Sequence, residues 1–422
     1  MIDLLIERLN APTKEERLTA LKELVMLGKQ KPIKNAFGAN NHIHTTYSFS
    51  PYSPTKAAYM AYRAGLTSAG IMDHDTLSGA EEFKRACEIL GIGATCGVEL
   101  RCKLNRGFGK INNPDQDNIM YVLIHGVPQK SIAPFNEFLA PYRKKRLERD
   151  KKMCKLISDK YRAFGIELDF DKDVLPLSEY GDGGTVTERH LLKALAKKLL
   201  KKFGRSLDLI SFLETRLNVS VSKKQKRYLL DDKNEHFIYD LLGVLKADAS
   251  FFYIDADEEL LTAEELVSIA LKFGAIPAWS YLGDVKSSVT GDKRAQKFED
   301  SYLEQLGACV KEIGFLACAY APSRNTPEQL KRLFSVVKEH NLFEVSGEDI
   351  NTPRQEFTCP LLSLPEYSHL ITSTWALIGH EKVCDEKGLD YGLFGKSAIK
   401  EQMSLDERVK ALAKIGKQTI NF

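Results

Sequence analysis

The chain has 422 residues, 43% of them hydrophobic, and a formal net charge of +3. That is enough material for two or three domains and a large core, with a charge balance that selects no particular partner. No run approaches the roughly 20 apolar residues of a membrane span, and no basic, apolar and small-residue leader opens the chain. The 8 cysteines are scattered, without a CxxC pair or zinc-finger spacing, which reads as reduced thiols in a cytoplasmic protein.

Residues 1–37 read as an N-terminal helical segment with a packing role. Leu4, Leu5, Ile6 and Leu9 form one apolar cluster; Leu18, Leu21, Leu24, Val25 and Leu27 follow at helical spacing, with Pro12-Thr13 as break and cap.

Residues 38–130 alternate strand and helix. His42 and His44 lie one residue apart on a strand, so both point the same way and can hold one metal ion together. Pro54-Thr55 opens a helix that runs through Ala64 and stops at Gly65. A second apolar run, from Ala69 to Met72, ends in Asp73 and His74. Ser78 then caps a helix from Gly79 to Leu90, with Glu81 completing a capping box. A third run, broken by Gly97, ends in Glu99, and a fourth, from Tyr121 to Ile124, ends in His125. Four apolar runs that each stop at a metal-binding residue predict ligands at the carboxyl ends of a parallel sheet covered by helices.

Residues 131–270 have a different texture, mostly helical and basic. Between Ser131 and Leu230 there are 23 Lys and Arg against 13 Asp and Glu. These runs are either a solvated helical face or a track for a nucleic-acid or nucleotide phosphate; aromatic interleaving and an RNA-binding motif are absent. The α/β pattern returns over 271–422, with apolar runs at 275–279, 315–320 and 342–345, a helix from Pro327 to His340, and C-terminal helices. The whole reads as one α/β barrel interrupted by a helical insert.

The motifs His42-Ile43-His44-Thr45-Thr46-Tyr47-Ser48, Asp73-His74-Asp75-Thr76, Gly97-Val98-Glu99 and His125, in that order, resemble the polymerase-and-histidinol-phosphatase (PHP) superfamily. The resemblance covers roughly residues 38–128 and, more weakly, 265–355. It implies a distorted (β/α)7 barrel, two or three divalent ions (Mn2+, Zn2+ or Fe2+), and phosphoester hydrolysis by a metal-activated water. On the family pattern, His42, His44, Glu99 and Asp349 hold one part of the metal cluster and carry the catalysis. His74, His125 and His190 hold the rest, with Arg189-His190 as counterpart of an Arg-Pro-His element; a His190 that merely caps its helix is the alternative. Asp73 is either a direct ligand or a partner that orients a histidine.

The second half departs from that pattern. Tyr281 stands where the family has a histidine after Gly274-Ala275-Ile276-Pro277, and Asn351 stands where a second histidine follows Asp349. Tyr281 and Asn351 are therefore expected at substrate or a bound water, with Arg189 gripping the phosphate, and Asp284 is a candidate substitute carboxylate. His380 is the least implausible replacement ligand among the other histidines. The expected substrate is a phosphorylated small molecule or nucleotide. Two further readings stay open: a nuclease acting on short RNA or DNA ends, and a regulatory descendant that keeps metal but has lost turnover.

Overall fold

The computed structural model describes residues 1–28, 37–284, 297–400 and 402–420. Its strands are β1 (Ala39–Ile43), β2 (Ser68–His74), β3 (Gly93–Lys103), β4 (Ile119–His125), β5 (Leu261–Thr262), β6 (Ile276–Tyr281), β7 (Ala317–Tyr320) and β8 (Phe343–Ser346). Hydrogen bonds join them in the order β1-β2-β3-β4-β6-β7-β8, with β5 set beside the end of β3. The sheet curls into a nearly closed barrel. Two backbone hydrogen bonds of 2.9 Å complete it, from His44 N to Ile350 O and from Ile350 N to His42 O. The closure lays the loop after β8 directly against His42 of β1 and His44 just beyond its end.

The sheet is not wholly parallel, as its alternating pattern predicted. β4 runs antiparallel to both β3 and β6. Residues 104–118 join β3 to β4 with no helix between them, so no helical crossover carries the chain back to a parallel register. Gly97 is needed at this pairing, because an added Cβ would collide with the Ile124 carbonyl oxygen.

Period-two alternation separates the two faces of the barrel. Inner residues Met72, Leu123, Ile276, Ala278, Ala317 and Val345 pack with Trp375, Leu377 and Ile378 of the helix His369–Lys387, which plugs one end. Outer residues such as Ile71, Val98, Trp279 and Cys318 pack under surrounding helices.

The N-terminal segment belongs to this outer layer. α1 (Ile2–Arg8) and α2 (Lys14–Met26) bury Leu5, Leu9, Leu21 and Leu24 in the same core as α3 (Pro54–Arg63) and α4 (Ala80–Leu90). Arg17 forks onto Glu82 of α4 at 2.8 and 2.6 Å, with both side chains buried. Ser53 caps α3 as a Ser-Pro start should, by accepting from Lys56 N. Ser78, however, does not cap α4: its hydroxyl donates to Gly183 O at 3.0 Å, tying the barrel to the insert.

The insert begins with α5 (Gln129–Arg162) and includes α6 (Glu188–Phe203). It has its own core, built from Met153, Tyr161, Leu191, Leu195, Leu213, Phe237 and Leu241, into which the barrel residue Phe49 intrudes. Barrel elements resume at β5 and the helix Ala263–Lys272, ahead of the expected boundary at 271, because β5 pairs with β3 and Leu266 packs in the barrel core. All 8 cysteines are free. Among the described residues no helix is long and apolar enough to cross a membrane.

Candidate metal centre

Three histidines converge on one carboxylate oxygen. His42 Nε2 and His44 Nε2 lie 3.3 Å from Glu99 Oε2, and His74 Nδ1 lies 3.1 Å from the same atom. The fold explains the convergence: β1 sends His42 and His44 to one side, and His74 pairs with Glu99 across β2 and β3. His44 Nε2 also stands 3.2 Å from Asp349 Oδ1, brought in by the loop after β8. Gly347 makes that approach possible, since a Cβ there would lie 2.6 Å from His42 Cβ. Two ligand groups result, His42/His44/Asp349 and His44/His74/Glu99.

Asp73 acts behind this set. Buried, it accepts from Thr45 N at 2.6 Å, Thr45 Oγ1 at 2.5 Å and Ser48 Oγ at 2.6 Å. Ser48 has one proton and gives it to Asp73, so it accepts from His44 Nδ1, 3.2 Å away. His44 therefore carries its neutral-state proton on Nδ1 and turns the Nε2 lone pair toward two carboxylates. A lone pair facing anions needs a cation or a second proton between them. Burial lowers the His44 pKa, but Asp349 and Glu99 outweigh it and raise the group to about 10. His44 Nε2 is buried and has no hydrogen-bond partner. An orphaned imidazole nitrogen amid carboxylates and a neutral His74, whose pKa burial lowers to about 3, fits a divalent cation.

His125 is buried with an orphaned Nε2 and a pKa lowered to about 3, first by burial and then by His42. It belongs to neither ligand group among the described residues. β4 runs antiparallel, so His125 pairs with Ile276, the first residue of β6, rather than with that strand's end. His190 is also held apart. Its Nδ1 accepts from Thr187 N at 3.0 Å in a capping box, and its ring meets Phe49 edge-on at 5.0 Å. An Nδ1 that accepts keeps the neutral ring's proton on Nε2, which removes the lone pair a metal would use.

The second-half residues divide. Asn351 donates from Nδ2 to Asp349 Oδ1 at 2.6 Å and accepts from Arg189 Nη1 at 2.8 Å, so both join the centre's edge. Asp349 is 48% exposed in side chain. Tyr281 is not brought to this cluster. It sits on the outer face of β6, and its hydroxyl donates to Asp300 Oδ1 at 2.7 Å. Asp284 accepts from Phe298 N, also outside the ligand groups. His380 accepts from Leu393 N through Nδ1 and bonds Gly274 O through Nε2, a core role.

Other residues around the centre carry weaker signals in the sequence. Asp75, at a left-handed φ of 56°, receives Arg146 at 2.6 Å. Arg146 and Arg149 both clasp Glu188 at the start of α6, at 2.7 and 2.6 Å. A cavity of about 380 Å³ is lined by Thr46, Phe49, Leu177, Glu179, His190 and Lys193, among others, and by none of the five centre residues. Lys193 holds its ammonium 5.6 Å from the Phe49 ring centre and 5.4 Å from Tyr239, and burial lowers its pKa to about 8. Its position three residues after His190, on one helix face, was the available clue.

Against known proteins, the PHP domain model matches residues 40–308. A 5'-3' exoribonuclease of Haemophilus influenzae is 37% identical over 59 residues, a match that spans 14% of this chain and only 22% of that protein. A Bifidobacterium adolescentis protein assigned as a metal-dependent phosphoesterase superposes with a TM-score of 0.52 at 19% identity, covering 81% of this chain and 97% of that one. An amidohydrolase from Chromobacterium violaceum gives 0.50 at 17% identity, over 79% and 96%. At such identities these two structures establish the fold.

Proposed function

The chain belongs to the PHP domain family, and from that premise we propose that it is a metal-dependent phosphoesterase acting on a small phosphate ester or nucleotide. The observation that carries the reading is the meeting of His42, His44 and His74 on Glu99 Oε2. His42, His44, His74, Glu99 and Asp349 would hold divalent ions, with Mn2+, Zn2+ and Fe2+ the candidates. Such ions, when bound, lower the pKa of a water and neutralise charge on a phosphoryl group.

The rest of the work falls to the protein. Ser48 and Asp73 fix the tautomer of His44, and burial keeps His74 neutral, in the form that can ligate. Arg189 presents a cation at the cleft edge, toward which the periphery of a substrate phosphate would turn.

Parent protein should release phosphate from some member of a nucleotide and sugar-phosphate panel only with added metal. His42→Ala should abolish that release while leaving the circular dichroism spectrum unchanged. Equal turnover in the variant would overturn the assignment.

A nuclease acting on short RNA or DNA ends is the second reading, favoured by the 59-residue match to the exoribonuclease. Against a long polymer, Arg143, Arg146 and Arg149 of the basic insert are buried and engaged within the protein rather than offered to a backbone.

A further inference from the structure

Arg189 reaches the centre through one amide. The guanidinium donates to Asn351 Oδ1 at 2.8 Å, and Asn351 Nδ2 donates to Asp349 Oδ1 at 2.6 Å. The amide's direction is dictated by its neighbours: a guanidinium requires an acceptor and a carboxylate requires a donor. Asp349 Oδ1 stands in turn 3.2 Å from His44 Nε2. A charged group is thus wired to the ligand set without touching it.

The guanidinium is firmly placed. Its helix begins at a Thr187–His190 capping box, and the preceding Glu188 is clasped by Arg146 and Arg149. Its Cζ lies 5.9 Å from the centre of the Phe49 ring. Among the described residues Arg189 makes no direct ion pair, so its charge is directed at Asn351 and, one bond further, at Asp349. An ion that took Asn351 Oδ1 as ligand, at about 2.1 Å, would sit within about 5 Å of this permanent positive charge. In a cleft of reduced dielectric such a neighbour is strongly repelled.

We propose that Arg189 is a positioning residue whose guanidinium, relayed by Asn351, takes the place of a further cation beside Asp349 and limits the centre to at most two ions, one for each ligand group, with the shared His44 Nε2 serving only one of them. The inference rests on the metal-centre reading. It makes Asn351 an orienting relay rather than a ligand, with its amide oxygen already committed to Arg189.

Metal-stripped protein titrated with Mn2+, with bound ion counted per chain by mass spectrometry, tests this. The parent should take no more than two ions, and Asn351→His alone should leave its count unchanged, because the guanidinium still repels a newcomer. Arg189→Ala combined with Asn351→His should take one ion more than the parent. Arg189→Lys should keep the parent's count, since it keeps the charge. If the first double variant does not fold, Arg189→Gln with Asn351→His serves, retaining hydrogen bonding without charge. Three ions in the parent, an added ion in Asn351→His alone, or no added ion in the folded double variant would each overturn the proposal. A parent that binds none would overturn the metal centre itself, a distinguishable result.

Discussion

Ser48 shows how much of the centre depends on a residue that touches no candidate ion site. Its hydroxyl donates to Asp73 and accepts from His44, so it decides which His44 nitrogen keeps a lone pair. Ser48→Ala should weaken Mn2+ affinity by about 10–100-fold, the usual cost of losing a hydrogen bond behind a ligand. Calorimetric titration checks this, and an unchanged dissociation constant would mean that packing alone holds the ring. At this scale the structure brings together His42, His44, His74, Glu99 and Asp349, as expected of them, and leaves out His125, His190 and Tyr281. His42, His44, His74 and Glu99 sit on strands of short sequence separation, so alternation alone places them. Tyr281 misled because a family position says nothing of which face of β6 its residue takes; the hydroxyl found Asp300. His190 was read as a motif ligand with helix capping as the alternative, and it is the cap that the structure shows, its Nδ1 accepting from Thr187 N.

Among the elements, the N-terminal helices and the loop after β6 allow clear tests. Arg17 and Glu82 are buried, and Glu82 also accepts from Thr55, so the pair joins α2, α3 and α4. Arg17→Met would strand the Glu82 carboxylate and should cost about 3–5 kcal/mol in urea denaturation; a loss below 1 kcal/mol would show that α2 is only loosely attached. Glu299, fully buried behind β6, accepts from Leu282 N, and burial pushes its carboxyl up to about 8. A folded-state pKa above the unfolded one means its favourable contribution is complete below about pH 4.5 and is lost as pH rises toward 8. Glu299→Gln should therefore gain stability over the parent between pH 5 and 8, by a few kcal/mol. Parallel pH dependences in the two proteins would contradict that. The helix start at Pro54 was legible because proline in a first turn is a local signal, whereas the cap expected of Ser78 was not formed. The reversed direction of β4 was not, since an apolar run reads the same either way.

For the whole molecule, the barrel and its helical insert followed from alternation and from the change in texture after residue 130. What the sequence concealed is how the insert is attached. Its basic character suggested an electrostatic track, yet Arg146 and Arg149 spend their charge on Asp75, Glu188 and Glu259, locking α5 and α6 over the barrel mouth. A substrate held mainly by the centre should show turnover that changes little between 50 and 200 mM salt. A nucleic-acid backbone on exposed lysines would instead lose affinity steeply, by about 1000-fold or more for six or more phosphate contacts.

The most direct measurement is the metal content of gently purified parent protein beside Glu99→Gln, counted per chain by mass spectrometry after Mn2+ is offered. Glu99 is the residue on which three histidines converge. The account predicts bound ions in the parent, up to the two its ligand groups allow, and their loss in a variant that keeps its fold. Equal metal content in the two proteins, or none in either, would contradict it.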